Sequence, residues 1–390
     1  MPWKENTRMS LREEFVTAAG EEGANMSALC RIYGVSRKTG YKWLKRYREY
    51  GAAGLQDRSR RPSHSPAQTS ESVEDAIVAL RDVNPAWGAR KLKRRLEDVG
   101  ETDLPAVSTI TEILRRRGKL DPAESRKHEP YQRFERGAPN ELLQMDFKGD
   151  FALTEGGRCY PLTVLDDHSR FLLGLFTCPD MRFKTVQQSL TQIFDLYGLP
   201  DGMLMDNGDP WKGGPHAPYS QTTVWLMRLG VRVSHGRYYH PQTQGKDERL
   251  HRTLGAELLH RRGFANLAEC QSLCDAWRHK YNHERPHEAL DLDTPIKHYR
   301  PSARPFPRVL PPICYPVAAQ VRKVDSSGKF SFHNQSFKLS TAFCGQRIEL
   351  RPTEDPDRFH VYFMTRKLAF LSFLDHDVTW VPVTHVPEHV

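Results

Sequence analysis

From the amino end of the chain, apolar positions return every three or four residues. Leu11, Phe15 and Ala18 share one face and predict a helix over residues 10–19, with Ser10 as its cap. A second helix is expected over 28–33, opened by Asn25-Met26-Ser27, and Gly34-Val35-Ser36 turns the chain into a third over 37–48. Two helices joined by a short glycine turn, the second basic and polar at its front, form the helix-turn-helix pattern. Within this 1–50 domain Ser36, Arg37, Lys38, Thr39 and Lys42 would face DNA, with Tyr41, Trp43 and Leu44 supplying both packing and backbone contacts. Residues 51–70 lose periodicity and read as a basic linker, whose Arg58, Arg60 and Arg61 could lie along a groove or simply tether. Helical spacing resumes over 73–81, 89–99 and 108–117, the last capped by Ser108. This 71–120 unit, with basic stripes in ARKLKRRL and ILRRRGK, predicts a second helical, winged-helix-like DNA-binding domain. A polar, proline-bearing linker covers 121–138.

Between 139 and 300 the period changes. Apolar runs of strand length lie at 142–151, 160–164, 171–176, 203–206 and 231–233, interleaved with helical spacing over 181–197 and 222–229. Strands first, then alternation with helices, predict a mixed sheet covered by helices. Asp166 and Asp167 fall in the turn between two strands, where acids cap backbone. A polar turn holding Pro241 and Gly245 then leads into a helix whose inner face is Leu250, Leu254, Leu258 and Leu259. Residues 301–316 are proline-dense and predict an extended linker. Over 317–390, alternation around turns at Ser327-Gly328, His333-Asn334 and Asp355-Pro356 predicts a small antiparallel β-barrel. The expected fold class is multidomain: N-terminal all-α modules, a central α/β core and a C-terminal small β-barrel.

Three acids stand out against these patterns. Asp146 is embedded in the apolar run LLQMDFKGDF, Asp206 ends the run MLMD, and Glu248 lies in the first turn of the helix after Gly245. Acids are disfavoured in strands and seldom buried without a partner, so a bound divalent cation is one explanation. Glu248 taken alone needs only the positive end of its helix. The segments carrying these acids, MDF, MDNG and HPQTQGKDERLHRTL, followed by WRHKYNHERPHEALDLDTPIKHY, resemble the integrase core of bacterial insertion-sequence transposases of the DDE class, relatives of retroviral integrases. The resemblance covers roughly residues 139–300. It implies a ribonuclease H-like fold in which Asp146, Asp206 and Glu248 hold Mg²⁺ or Mn²⁺, two ions in all. Asp150, Asp209 and Asp247 are the nearest competitors, but the family pattern places its Glu two residues after Gly-Lys. Asn207, His240, Gln244, Lys246 and Arg249 would then contact substrate phosphate or DNA ends, as would Lys148, which shares a strand face with Asp146. The 41 residues between Asp206 and Glu248 exceed the family's usual gap, with WKGGPHAPYSQTT as the insertion.

Charge and cysteines narrow the function further. Lys and Arg number 57 against 48 Asp and Glu, a balance of +9. Residues 1–65 hold 13 basic and 7 acidic residues, whereas 140–300 hold 19 and 20, so the excess sits at the amino end and points to double-stranded DNA there. Seven scattered cysteines imply no disulfide framework, and Cys270 and Cys274 read as core packing. The His and Cys set that fronts retroviral integrases is missing, since residues 1–63 contain Cys30 alone and no His. With no membrane span or signal-peptide pattern, the expected setting is cytoplasmic and nucleoid-associated. The function implied is a transposase that binds terminal inverted repeats, then cleaves and transfers strands, as at least a homodimer on DNA. A DNA-binding regulator with an inactive core, or a nuclease that cuts without joining, are the alternatives.

Overall fold

The computed structural model describes residues 7–58, 69–120, 136–206, 208, 210–211, 218–235 and 245–381. The chain divides into two units, residues 1–68 and 69–390.

The first unit is three helices, α1 (Arg8–Gly20), α2 (Met26–Ile32) and α3 (Arg37–Tyr50), closed by a 3-10 turn at Gly51–Leu55. α1 starts earlier than its apolar spacing predicts, because the Thr7 hydroxyl, not Ser10, accepts from a free amide of the first turn. Asn25 caps α2 and Ser36 caps α3. Gly34 takes φ +65 in the turn between them, a conformation glycine adopts without strain. Phe15, Val16, Cys30, Trp43, Leu44 and Leu55 form the core. Gly40 lets α3 approach it, since a Cβ there would lie 2.8 Å from both Cys30 Sγ and Phe15 Cζ.

The second unit opens with α4 (Glu71–Val83), α5 (Ala89–Asp98) and α6 (Val107–Arg116), packed around Ile77, Trp87, Leu92, Ile110 and Leu114. Ser108 is not the cap of α6: Ala106 occupies that position without a side-chain hydrogen bond. Among the described residues of 69–120 there is no strand, so the expected wing is not found here.

A mixed sheet follows, built from β1 (Leu143–Phe147), β2 (Phe151–Ala152), β3 (Arg158–Asp166), β4 (Leu172–Cys178), β5 (Gly202–Met205) and β6 (Arg232–His235). Its order is β4-β3-β1-β5-β6, with β2 on β3; the β1, β3 and β4 pairings are antiparallel, and β1–β5 and β5–β6 are parallel. One face, with Leu143, Met145, Leu162, Val164 and Met203, packs on α7 (Phe183–Tyr197) and α8 (Gln221–Arg228). The other, with Cys159, Leu165, Leu172 and Leu175, packs on α9 (Gly245–Leu254) and α10 (Leu267–His283) through Leu250, Leu254, Cys270, Cys274 and Trp277. Both faces are covered, which is why these strands read as nearly continuous apolar runs. The short helix α11 (Pro295–His298) ends this region.

The carboxyl-terminal part holds β7 (Gln320–Lys323), β8 (Lys329–Phe332), β9 (Gln335–Lys338), β10 (Arg347–Pro352), β11 (Arg358–Phe363), β12 (Arg366–Ser372) and β13 (Asp377–Trp380). Among the described residues the expected barrel is not closed. Five strands form an antiparallel sheet in the order β13-β12-β11-β10-β7, and β8–β9 is a separate hairpin whose turn residues His333 and Asn334 take φ +44 and +59. The hairpin covers the sheet with rings, Phe332 lying 4.9 Å from Phe359 and 5.7 Å from Phe373, where a closed barrel would need backbone pairing. Its core is continuous with that of the central sheet: Tyr219 meets Phe343 and Trp380, and Arg228 donates to Gln346. The proline-dense stretch, expected as an extended linker, has no helix or strand over 301–316 and is built into the same interior. Arg304 donates to the carbonyls of Pro200 and Gly230, and Phe306 lies against Phe194 and Trp225.

Candidate active site

Two neighbouring parallel strands bring the first two acids together. The β1–β5 register pairs Leu143 with Met203; three residues further along both strands come Asp146 and Asp206, side by side at the carboxyl ends. In open sheets the crevice beyond parallel carboxyl ends is where ligands bind. Asp146 is three-quarters buried and accepts from the Phe147 amide. Burial, then the Asp206 carboxylate, push its carboxyl up to about 7 against the opposing pull of the Phe147 amide and Lys148. Asp206 accepts from the Gly208 amide, and its backbone carbonyl meets His235 Nδ1 at the end of β6 at 2.9 Å.

α9 covers this pair and sets the phase of its own acids by its apolar face. Leu250 and Leu254 face the sheet, which turns Asp247 inward and leaves Glu248 exposed. Asp247 is 1% exposed, and among the described residues neither carboxylate oxygen has a hydrogen-bond partner. Burial, followed by the nearby Asp146 and Asp167, raises its carboxyl well above the usual range. His251, one turn further, is buried with Nε2 2.9 Å from Thr163 Oγ1 and Nδ1 3.8 Å from Asp146 Oδ2. Burial, then the Lys148 ammonium, lower its imidazole to about 4, so the ring is neutral at ordinary pH.

The turn acids do different work. Asp166 caps the turn as expected, accepting from the amides of Asn140 and Ser169 and from the Ser169 hydroxyl. Asp167, fully buried, binds Gln144 Nε2, the Arg136 amide and the Lys246 ammonium, the last at 2.5 Å. Lys246, expected at substrate phosphate, is therefore directed at a buried carboxylate. Lys148 stays close enough to Asp146 and His251 to act on both, and Arg249 is exposed. Asn207, His240 and Gln244 lie outside the described residues, as do Arg60 and Arg61. In the first unit Arg37, Lys38 and Lys42 are exposed along α3, and Arg58 lies over Tyr50. The Ser36 and Thr39 side chains bind each other at the helix start.

Several cations of the basic stripes in the second helical module are paired with acids of the chain. Arg116 and Arg117 both bind Glu74, Arg117 reaches Asp75, and Lys119 pairs with Asp82. On α5, Arg94 binds Asp293 and Arg95 binds Glu284, both in the segment that follows α10, and Lys280 sits over Trp87.

Oxygen donors alone, two of them adjacent and repelling, with a third buried carboxylate that has no hydrogen-bond partner among the described residues, suit a hard divalent cation. The fit is of donor type rather than of assembled geometry. Among the described residues no three His, Cys, Asp or Glu side chains are drawn together as a metal cluster, and Glu248 remains on the outside. The sequence reading missed His251, Thr163 and the buried direction of Asp247; a signal for the first was present, since His251 is four residues from Asp247 and flanks Leu250 on the helix. It also missed Trp211, the first residue of the insertion, which is buried and stacked on Phe147 next to Asp146.

Family models match a helix-turn-helix domain at residues 11–63, a homeodomain-like domain at 39–114, an integrase core domain at 136–241 and again at 229–295, and the C-terminal domain of IS481 family transposases at 319–377. The chain is 28% identical over 159 residues to the insertion element IS407 uncharacterized 31.7 kDa protein of Burkholderia multivorans, a match covering 41% of this chain and 55% of that protein. It is 23% identical to the insertion element IS476 uncharacterized 39.2 kDa protein of Xanthomonas euvesicatoria, covering 63% and 69%. A putative transposase for insertion sequence element IS5376 of Geobacillus stearothermophilus is 20% identical over 371 residues, covering 90% and 85%. Among solved structures, the simian T-cell lymphotropic virus intasome in complex with PP2A regulatory subunit B56 gamma aligns at TM-score 0.37 and 14% identity, covering 80% of this chain and 100% of that one. The HTLV-2 integrase catalytic core domain in complex with magnesium aligns at 0.32 and 13%, covering 42% and 99%. Among the described residues no helix is long and apolar enough to cross a membrane.

Proposed function

This chain belongs to the integrase-core transposases of insertion sequences, and from that premise we propose that it binds the terminal inverted repeats of a mobile element and catalyses divalent-metal-dependent strand cleavage and strand transfer. The observation that carries the reading is the pair Asp146 and Asp206 at adjacent carboxyl ends, under a helix that supplies further acids. Asp146, Asp206 and Glu248 would hold Mg²⁺ or Mn²⁺. Two such ions, when bound, supply charge that stabilises the attacking and leaving oxygens of an in-line phosphoryl transfer.

The chain's own residues supply binding and placement. Arg37, Lys38 and Lys42 on α3 meet the repeat, their side chains exposed along the helix expected in the major groove. Lys148 and Arg249 receive phosphate oxygens near the acids, whereas Lys246 orients the start of α9 through Asp167. Joining two element ends requires at least two copies of the chain.

The test is a metal-dependent assay on labelled DNA carrying the native flanking repeat, with Glu248→Gln alongside. Nicking at the repeat boundary with joined products, lost in the variant, supports the transposase. Cleavage without joining would mark a nuclease. Tight repeat binding without cleavage would mark a regulator, and retained cleavage in Glu248→Gln would remove that residue from the site.

A further inference from the structure

Asp146 stands on β1 and Glu248 on α9, so the span between them is only as fixed as the contact between strand and helix. Leu250 and Leu254 supply apolar packing there, which tolerates sliding. Two polar links do not: the Lys246–Asp167 ion pair at the helix start, and a contact that reaches β1 itself. Thr163 is the antiparallel partner of Asp146 across β1 and β3, and its hydroxyl donates to the Asp146 carbonyl oxygen at 3.0 Å. The hydroxyl oxygen itself, Thr163 Oγ1, lies 2.9 Å from His251 Nε2. A hydroxyl has a single proton to give. With that proton on the carbonyl, Oγ1 offers the ring only lone pairs, so Nε2 carries the ring proton and donates. His251 is three residues beyond Glu248, nearly one helical turn. The chain of contacts therefore runs from the backbone of the first acid, through Thr163, to the helix turn directly below the third.

We propose that His251 and Thr163 form a positioning link that fixes α9 on β1 and thereby sets the span between Asp146 and Glu248 on which divalent-metal binding depends. The inference rests on the transposase reading for the identity of the site. Neither residue is a ligand in it. Their effect is exerted through the placement of carboxylates, and displacing a reacting group by about 1 Å costs on the order of 100-fold in rate.

The test uses the full chain and four substitutions: Thr163→Val, Thr163→Ser, His251→Leu and His251→Gln, with the double Thr163→Val/His251→Leu. Two quantities are read: Mn²⁺ affinity of the DNA-free protein by electron paramagnetic resonance, and the Mg²⁺ concentration giving half-maximal cleavage of repeat DNA. Thr163→Val and His251→Leu are expected to weaken Mn²⁺ binding and raise half-saturating Mg²⁺ about tenfold, with repeat affinity unchanged. Thr163→Ser keeps the hydroxyl and His251→Gln keeps an N–H donor, and both should recover most of the loss. The double variant replaces both partners with apolar groups, so its thermal stability should return toward wild type while metal affinity stays low. Wild-type metal dependence in a folded Thr163→Val, equal losses in Thr163→Val and Thr163→Ser, or recovery of metal affinity along with stability in the double variant would each overturn the link. A wild type that binds Mn²⁺ without cleaving DNA would defeat the transposase reading alone, since the Mn²⁺ series still decides the link. A wild type that binds no Mn²⁺ would defeat both.

Discussion

Replacing Asp146 with Asn should make the metal-free protein more stable while removing its response to metal. In the folded chain this carboxyl titrates at about 7 against an ordinary 3.8, because it is buried beside Asp206. At about 1.4 kcal/mol for each pKa unit, a difference near three units corresponds to a ceiling of about 4 kcal/mol. Partial exposure of the side chain and local relaxation reduce this to about 2 kcal/mol. The sign follows from proton counting. Between about pH 4 and pH 7 the folded chain still holds a proton that the unfolded chain has released, so stability falls as pH rises through that window and levels off above it. Asn does not titrate, keeps an acceptor for the Phe147 amide and carries no charge against Asp206. Urea unfolding in EDTA at pH 5, 6, 7 and 8 should therefore show the variant gaining on wild type up to pH 7, by about 2 kcal/mol at the plateau. Adding Mn²⁺ at a hundred times its dissociation constant should return about 2.7 kcal/mol to wild type and little to the variant. A variant no more stable than wild type at pH 8 in EDTA would refute the claim that Asp146 sits as a buried, repelled carboxylate.

Three further outcomes follow from other parts of the molecule. Glu257 accepts from Arg285 Nε at 3.0 Å and Trp277 Nε1 at 3.1 Å, with both charged side chains about nine-tenths buried, so Glu257→Ala should cost about 3–5 kcal/mol in chemical denaturation by stranding Arg285. Gly40→Val places carbon against Cys30 and Phe15; it should destabilise the first unit by about 1–3 kcal/mol and abolish repeat binding in an electrophoretic shift assay, with Mn²⁺ binding to the core unchanged. If Arg37, Lys38 and Lys42 are the main phosphate contacts, log affinity against log salt should have a slope of about −3, and each Ala substitution should flatten it by about 0.9. A slope twice as steep, measured by fluorescence anisotropy, would mean that the paired cations of α5 and α6 also reach DNA.

Much of the architecture could be read from local chemistry. Asn25, Gly34 and Ser36 announce the helix-turn-helix because caps and a left-handed turn are decided within a few residues. Asp146 and Asp206 were visible because an acid in an apolar strand is locally anomalous. What escaped was set by distance or by phase. Arg94 and Arg95 look like a solvated basic stripe in isolation, and their partners Asp293 and Glu284 lie almost 200 residues away. Lys246 finds Asp167 only once α9 has docked. The inward aim of Asp247 depends on which face Leu250 and Leu254 present, and the sequence pattern did not separate it from its neighbour by direction. Barrel closure likewise depends on how edge strands meet, and β7 and β13 do not pair.

The proline-dense stretch and the insertion change what a boundary means in this chain. Phe306 and Arg304 seal the ends of α7, α8 and β5, and of the insertion Trp211 lies on Phe147 and Tyr219 on Phe343 and Trp380. A polypeptide stopped at residue 300 would thus not be a smaller version of the same molecule; it would be an interior left open to water along Phe194, Trp225 and Tyr219. The β-sheet at the carboxyl end and the strand that carries Asp146 should melt together.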